Sequence, residues 1–113
     1  MKERRKYPRI STERKVLWRK IDTMDNIDEA TNISAGGLCL SAANEKPAVA
    51  GDSFQLQFGL AAKNTVYARA KAVWVSDVHK DAVKTKKIQN IGLEYVDISD
   101  DARKSIDHFI NAS

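Results

Sequence analysis

Two short polar side chains followed by two glycines form the stretch of sequence best suited to binding chemistry. Asn32 and Ser34 stand two residues apart, with Gly36 and Gly37 just beyond them. In an extended strand, this spacing places Asn32 and Ser34 on one face and Ile33 on the other. The glycines let the backbone turn through positive φ, or let a flat ligand approach the main chain. The stretch therefore predicts a hydrogen-bonding surface for a planar polar group such as a nucleobase, with an ordinary hairpin turn as the alternative.

A second group of residues with binding chemistry lies near the start of the chain. Arg5 and Arg9 are four residues apart, and Pro8 between them removes a backbone donor and biases Tyr7 toward an extended conformation. A guanidinium fork binds phosphate oxygens or the O6/N7 edge of guanine in a bidentate manner, and its flat face stacks on a base. Residues 1–14 have little apolar periodicity, so we expect a flexible basic arm there.

Charge is distributed unevenly along the chain. Residues 1–20 contain nine Lys or Arg and two Glu, a net charge of +7, whereas the whole chain of 113 residues carries +4 and the rest therefore carries −3. A basic end on a slightly acidic body attracts anions, although such runs are usually solvated tails.

Length and composition indicate one soluble domain. The chain has 113 residues, 42% hydrophobic and 30% charged, which suffices for one core without disulfides. No apolar run approaches the roughly 20 residues that span a bilayer, and no apolar segment follows the first residues as in a secretory signal. We therefore expect a cytoplasmic protein without a membrane partner, and the single cysteine, Cys39, fits a reducing compartment.

Alternating apolar residues predict about six strands. The clearest is residues 53–59, where Phe54, Leu56 and Phe58 alternate with polar residues. Others are expected at residues 15–21, 27–34, from 38 onward, 66–75 and 88–96. Residues 27–34 and the strand from Leu38 form a hairpin through residues 35–37. Residues 76–87 are polar and predict a mobile loop. In residues 66–75, Trp74 lies on the same face as Val66, Ala68, Ala70 and Ala72 by alternation. Apolar residues on both faces near Val73 predict a bulge or a stretch buried on two sides.

One amphipathic helix is expected at the end of the chain. Ser99 suits its N-cap, Asp100 and Asp101 suit its first turn, and Ala102, Ile106, Phe109 and Ile110 form an apolar stripe. The predicted fold is mainly β: a six-stranded antiparallel β-barrel, residues 15–113 with the C-terminal α-helix over one opening, preceded by the arm of residues 1–14.

Taken together, the two motifs resemble the PilZ domain family. That family is described by RxxxR in an N-terminal arm and [D/N]xSxxG on the barrel surface, and the matching residues are Arg5, Arg9, Asn32, Ser34 and Gly37. Residues 91–95, Ile-Gly-Leu-Glu-Tyr, are similar to the family's last barrel strand. The resemblance covers nearly the whole chain.

The resemblance implies a receptor for cyclic di-GMP, bound as a ligand and not as a cofactor. It places the arm over a ligand on the barrel wall: Arg5 and Arg9 at phosphates and guanine edges, Asn32 and Ser34 at a guanine, and Gly36 and Gly37 beneath it. With no output domain attached, the signal would pass to an unidentified downstream protein. Arg4 adds a further cation. Arg4, Arg5, Lys6 and Arg9 then carry four positive charges, equal in number to the four phosphodiester charges of a stacked pair of cyclic di-GMP molecules.

Other functions remain as alternatives. A small basic barrel binding single-stranded nucleic acid is the closest, but it needs surface aromatics for stacking. Four of the eight aromatic residues, Phe54, Phe58, Tyr95 and Phe109, fit the core, which leaves few for such a surface. A ligand-free adaptor of the same fold is another. An enzyme is not favoured, since no base or nucleophile constellation stands out. His79 and His108 are isolated, and with Cys39 they have no metal-ligand spacing, although Cys39 alternates away from Leu38 and Leu40 toward the candidate site.

Overall fold

A computed structural model describes residues 9–11, 15–20, 26–43, 47–60, 65–80 and 87–112. These residues form eight strands and one helix. The elements are β1 Arg9–Ser11, β2 Lys15–Lys20, β3 Asn26–Ser34, β4 Gly37–Ala42, β5 Ser53–Gly59, β6 Thr65–Val75, β7 His79–Lys80, β8 Lys87–Ile98 and α1 Asp100–Asn111.

Six of the strands close into an antiparallel barrel. Neighbouring strands pair in the order β3, β2, β5, β6, β8 and β4, and β4 returns to pair with β3. Strands β4 and β5 are three places apart in this ring of six, so they lie on opposite walls. The predicted six-stranded antiparallel barrel is confirmed.

The core fills the barrel interior with residues from alternate positions of the strands. In β5, Phe54, Leu56 and Phe58 are buried while the residues between them are exposed, as predicted. Trp18 on β2 is 1% exposed, and its ring lies 5.4 Å from that of Phe54. Such aromatic contacts add to the stabilisation from the buried apolar surface.

Helix α1 closes one end of the barrel. Its N-cap is Ser99, whose side chain accepts a hydrogen bond from the Ala102 backbone nitrogen, with acidic residues in the first turn, as the sequence predicts. Ile106 and Ile110 are buried in the core. The helix contacts β3 and β6, which lie on opposite sides of the ring, so it spans the opening between them.

Two short strands appear where the sequence predicts loops. Residues 9–11 were expected to be irregular, but they form β1, which pairs with the second half of β3. Within the predicted loop of residues 76–87, His79 and Lys80 pair with Ile88 and Lys87 of β8. Strands this short contain too few residues to show an alternating pattern. The remaining arm, residues 1–8 and 12–14, lies outside the described residues.

Three register shifts interrupt the described strands, at Ala30/Asn32, Arg69/Ala70 and Ala72/Trp74, and the first and last of them decide the facing of Asn32 and Trp74. Between Ala30 and Asn32 the register of β3 with β4 shifts by one residue, so Thr31 is exposed while Ile33 is buried. Thr31 and Ile33 therefore lie on opposite faces, whereas an uninterrupted strand would place them on the same face. In β6 the register with β8 shifts between Ala72 and Trp74, which confirms the bulge near Val73. Because an inserted residue reverses the alternation, Trp74 is 44% exposed instead of buried.

The one helix in the described ranges is not long and apolar enough to cross a membrane.

Candidate functional site

The turn between β3 and β4 is organised by the hydroxyl group of Ser34. Ser34 Oγ accepts hydrogen bonds from the backbone nitrogens of Gly36 at 3.1 Å and Gly37 at 3.2 Å, and it lies 3.2 Å from the Gly37 carbonyl oxygen, to which it donates. Ser34 is 2% exposed. One donor and two acceptor positions are the full capacity of a hydroxyl. In this structure Ser34 therefore shapes the turn that presents the two glycines.

Gly37 is required by the close approach of strand β8. A Cβ added at Gly37 would collide with the carbonyl oxygen of Leu93 and lie 3.0 Å from its carbonyl carbon. These are backbone atoms of a paired strand, so they cannot swing away as a flexible side chain would. In addition, the Tyr95 backbone nitrogen donates to the Gly36 carbonyl oxygen at 3.0 Å. The turn is thus held tightly against β8.

Of the two roles that the sequence allows for these glycines, positive φ and close approach of a ligand, the first is wrong. In the ranges that the structure describes, the glycine with positive φ is Gly51, at 100°. Gly37 is instead explained by its close approach to the backbone of β8.

Asn32 reaches the outer wall because of the bulge at Thr31. Its strand partner on β4 is Cys39, and the next pair along, Ile33 and Leu38, is fully buried on the inner face. The alternation of β-strands then places Asn32 and Cys39 outward. Asn32 is half-buried.

Strand β1 brings the end of the arm alongside this hairpin. Arg9 pairs with Ser34, and Ser11 pairs with Asn32. Ile10, between them, pairs with Ile33 and packs against the core, which anchors the strand. The backbone of the second motif arginine is therefore adjacent to the polar residues of the hairpin.

A row of four residues continues from Asn32 around the outer wall. Asn32 pairs with Cys39, Cys39 with Gly92 on β8, and Gly92 with Trp74 on β6. A Cβ at Gly92 would collide with the indole of Trp74 and lie 2.6 Å from its Cδ1 atom. The indole thus lies directly on the Gly92 backbone, with 44% of the residue still exposed. An aromatic surface is held in the same row as Asn32.

Cys39 lies within this row, as its alternation away from Leu38 and Leu40 predicts. It is 5% exposed although its side chain points to the outer wall. Gly92, its neighbour on β8, has no side chain to cover it, and the indole of Trp74 lies over that glycine. We attribute the burial of Cys39 in part to this indole.

The structure brings together four of the seven residues predicted for the site. Asn32, Ser34, Gly36 and Gly37 form one hairpin, and the backbone of Arg9 lies beside it. Arg4 and Arg5 lie outside the described residues. Their contacts with a ligand, and those of the other five, stay predictions.

Trp74 is the residue that sequence reasoning missed. The apolar residues on both faces near Val73 indicated a bulge, but not that the bulge would turn Trp74 outward.

In the described residues, no group of three His, Cys, Asp or Glu side chains could hold a metal ion. His79 is exposed on β7, and His108 is exposed on α1.

Solved structures with the same fold include three bacterial proteins. The chain is 23% identical to the Bacillus subtilis inhibitor of motility MotI/DgrA, with a TM-score of 0.75, covering 97% of this chain and 51% of that one. The PilZ domain of Escherichia coli YcgR with c-di-GMP gives 19% identity and a TM-score of 0.73, covering 97% and 91%. The K. pneumonia MrkH–c-di-GMP complex gives 16% identity and a TM-score of 0.71, covering 97% and 51%. The chain thus spans about half the length of MotI and MrkH.

Family membership rests on a sequence model that covers nearly the whole chain. No curated protein is significantly similar in sequence, and identities of 16–23% to the solved structures above show the fold alone. The model described as the PilZ domain, however, matches residues 3–112, a range that includes both motifs and all the elements from β1 to α1. The chain belongs to the PilZ domain family.

Proposed function

We propose that this protein is a cyclic di-GMP receptor, which holds the ligand on the outer barrel wall over the β3–β4 turn. The observation that carries the proposal is the pairing of β1 with β3, with Arg9 opposite Ser34. It supports an arrangement in which the RxxxR arm continues from the edge of the [D/N]xSxxG hairpin. We infer the identity of the ligand from the YcgR and MrkH structures, which were solved with c-di-GMP.

The chemistry of the site divides between charge, hydrogen bonding and stacking. In the proposal, Arg5 and Arg9 supply guanidinium forks for phosphates and guanine edges, each good bidentate contact contributing about 1–3 kcal/mol. Asn32 supplies an amide for the edge of a base. Ser34 holds the turn through its hydrogen bonds to Gly36 and Gly37, which keeps the backbone low beneath the ligand.

Trp74 is added to the proposed site on geometric grounds. Its indole lies in the row of Asn32 and is half exposed. A purine above the β3–β4 turn needs a flat apolar surface as well as polar groups, and stacking of a base on an aromatic ring contributes about 1–3 kcal/mol. We therefore assign Trp74 to the stacking of one guanine.

The receptor acts as an adaptor in this proposal. Binding orders the basic arm over the ligand, and the changed surface is recognised by a downstream protein. The motivation is the concentration of positive charge in residues 1–20, at +7, because those charges repel one another until an anion neutralises them. The proposal assigns no catalytic role to the arm or to the barrel.

Calorimetric titration with cyclic di-GMP tests the proposal. We expect saturable binding, with cyclic di-AMP and GTP binding at least about tenfold more weakly, because the guanine edges and both phosphodiesters are needed together. Asn32→Ala should weaken binding, while Lys104→Ala, an exposed substitution on α1, should not. No heat of binding at high micromolar ligand, from protein whose thermal melt is normal, would identify a ligand-free adaptor instead.

A further inference from the structure

Any ligand that reaches from Asn32 to Trp74 passes over strand β8. The two residues are the ends of one row, with Cys39 and Gly92 between them. Three strand spacings separate the ends, about 14 Å along the barrel wall. The middle of the row, where β4 and β8 meet, therefore lies beneath the ligand in the proposed function.

Glu94 is the outward side chain beside this point. It follows Gly92 on the outer face of β8, because Leu93 between them is buried. Glu94 is the strand partner of Gly37 on β4, and a Cβ added at Gly37 would lie 3.1 Å from the Glu94 Cα atom. Since Gly37 and Gly92 have no side chains, no side chain at either position separates Glu94 from a ligand over the β3–β4 turn.

The carboxylate of Glu94 is available for contact with a ligand. Glu94 is exposed, and within the described ranges no ion pair or side-chain hydrogen bond involves it. By contrast, Glu29 on the β3–β4 hairpin forms an ion pair with Lys15 at 2.8 Å. Lys71 on β6 is exposed and is the strand partner of Glu94. This cation reduces the repulsion between the carboxylate and the phosphates of a ligand.

A guanine held by an arginine at one edge presents a second edge to the protein. The arginine fork uses the O6 and N7 atoms of the base. The Watson–Crick edge then carries two neighbouring donors, N1–H and one hydrogen of the N2 amino group. A carboxylate accepts through both oxygens and donates nothing, so it matches these two donors with a pair of charge-assisted hydrogen bonds.

We propose that Glu94 binds the Watson–Crick edge of one guanine of cyclic di-GMP and determines the preference for guanine over other purines. This inference rests on the proposed function, from which it takes the position of the ligand. The guanine is the one that stacks on Trp74, because the indole lies over Gly92. Glu94 is the next outward residue on the same strand, about 6.6 Å away.

The selectivity follows from the atoms of that edge. In adenine, N1 is an acceptor, so it would face a carboxylate oxygen without a hydrogen between them, and this mismatch disfavours the wrong base. Hypoxanthine has the N1–H, O6 and N7 groups of guanine but lacks the N2 amino group. Cyclic di-IMP, in which hypoxanthine replaces guanine, therefore removes one hydrogen bond without changing the phosphates or the edge that the arginines bind.

The first experiment is calorimetric titration of wild type and Glu94→Ala with cyclic di-GMP and cyclic di-IMP. We expect wild type to bind cyclic di-IMP about 5- to 20-fold more weakly than cyclic di-GMP. In Glu94→Ala the two ligands should bind within about twofold of each other, because the acceptor of the N2 amino group is gone. Equal binding of both ligands by wild type, or the same ratio of affinities in the variant, would overturn the proposal.

Glu94→Gln provides a test with opposite signs for two ligands. An amide has one acceptor and one donor, which mismatches the two donors of guanine but fits the N6 amino group and N1 of adenine. We expect cyclic di-GMP affinity to fall at least about threefold and cyclic di-AMP affinity to rise at least about threefold. A carboxylate that acted only by repelling phosphates would give a rise for both ligands, and that result would overturn the proposal.

Asp97→Asn is the matched control for charge. It removes another carboxylate from β8, one that is 65% exposed and paired with Arg69. The ratio of cyclic di-GMP to cyclic di-IMP affinity should stay at the wild-type value. A change in this ratio as large as in Glu94→Ala would show a general effect of charge and overturn the assignment of base recognition to Glu94. Both Glu94 variants should melt like wild type, because exposed substitutions of this kind change stability little.

The titrations separate this inference from the proposed function. If wild type does not bind cyclic di-GMP, the proposed function is overturned and this inference with it. If wild type binds cyclic di-GMP and the substitutions at Glu94 leave the base preference unchanged, the inference alone is overturned and the receptor function stands.

Discussion

The indole ring of Trp74 occupies the space where any residue other than glycine at position 92 would place its Cβ. The two residues face each other across β6 and β8. A glycine within a strand weakens it by roughly 0.5–1 kcal/mol relative to Ala, so Gly92 is best explained by what it accommodates. The contact fixes an aromatic surface in the same row as Asn32 and Cys39.

Substitution of Gly92 by Ala should displace the indole of Trp74. The added methyl group would collide with the ring, which is half exposed and can move outward, so we expect little loss of stability. The indole N–H signal of Trp74 in a two-dimensional NMR spectrum should shift, and the Cys39 thiol should react faster with a thiol reagent. The Trp18 indole, which donates to Asp28 at 2.8 Å, provides an internal reference. An unmoved Trp74 signal and an unchanged thiol rate would contradict this role for Gly92.

Loss of the Trp74 ring should weaken cyclic di-GMP binding without unfolding the barrel. We expect Trp74→Ala to cost about 1–3 kcal/mol of binding free energy, roughly 5- to 150-fold, and Trp74→Phe to retain part of it. Calorimetric titration measures both. Ile27→Ala, which removes apolar surface from a residue 68% exposed at the end of β3 far from the turn, is the control. Equal affinities for wild type and Trp74→Ala would remove Trp74 from the site.

A side chain at Gly37 should destabilise the fold and not only the site. The Cβ of Gly37→Ala would collide with the Leu93 carbonyl oxygen, so the strands must separate locally, and we expect a loss of at least about 2 kcal/mol in the free energy of unfolding. Ser34→Ala leaves the buried amide of Gly37 and the part-buried amide of Gly36 without their acceptor and should cost about 1–3 kcal/mol. Urea denaturation measures the free energy of unfolding of each variant relative to wild type. A Gly37→Ala protein as stable as wild type would show that β4 and β8 can separate here at no cost.

The motif arginines should affect binding and leave stability unchanged. Arg5→Ala and Arg9→Ala are each expected to weaken cyclic di-GMP binding by about 1–3 kcal/mol, or 5- to 150-fold. Lys104→Ala, which removes an exposed cation on α1, is the control. If both motif variants bind as tightly as wild type in calorimetry, while their melts are unchanged, the assignment of the ligand to this wall is wrong.

Most of the fold could be predicted because one face of each long strand enters the core. In β5, Phe54, Leu56 and Phe58 alternate with exposed residues. A shift of one residue in the pairing would expose all three apolar side chains, so one register is strongly favoured. The cap at Ser99 and the apolar stripe of α1 are equally local signals. By contrast, β1 and β7 contain three and two residues, and they form only because β3 and β8 offer edges to pair with.

The candidate site could be predicted less completely because β-bulges decide its geometry. A single inserted residue at Thr31 turns Asn32 outward, and another at Val73 turns Trp74 outward. Sequence alternation cannot locate such an insertion to the residue. The role of Gly37 was also hidden, since the atom that excludes its Cβ belongs to Leu93, 56 positions later in the chain.

The ligand should bind as a stacked pair of molecules and convert the arm from mobile to ordered. Each cyclic di-GMP carries two phosphodiester charges, so a pair carries four, and Arg4, Arg5, Lys6 and Arg9 match that number. Ordering the arm costs about 1–2 kcal/mol of backbone entropy per residue, so the free arm is expected to be partly mobile. Calorimetry should give a ratio near two ligands per chain, and trypsin should cut after residues 4–6 quickly without ligand and slowly with it. A ratio near one, with Arg4→Ala binding as tightly as wild type, would reject the stacked pair, and equal cleavage in both states would reject the ordering of the arm.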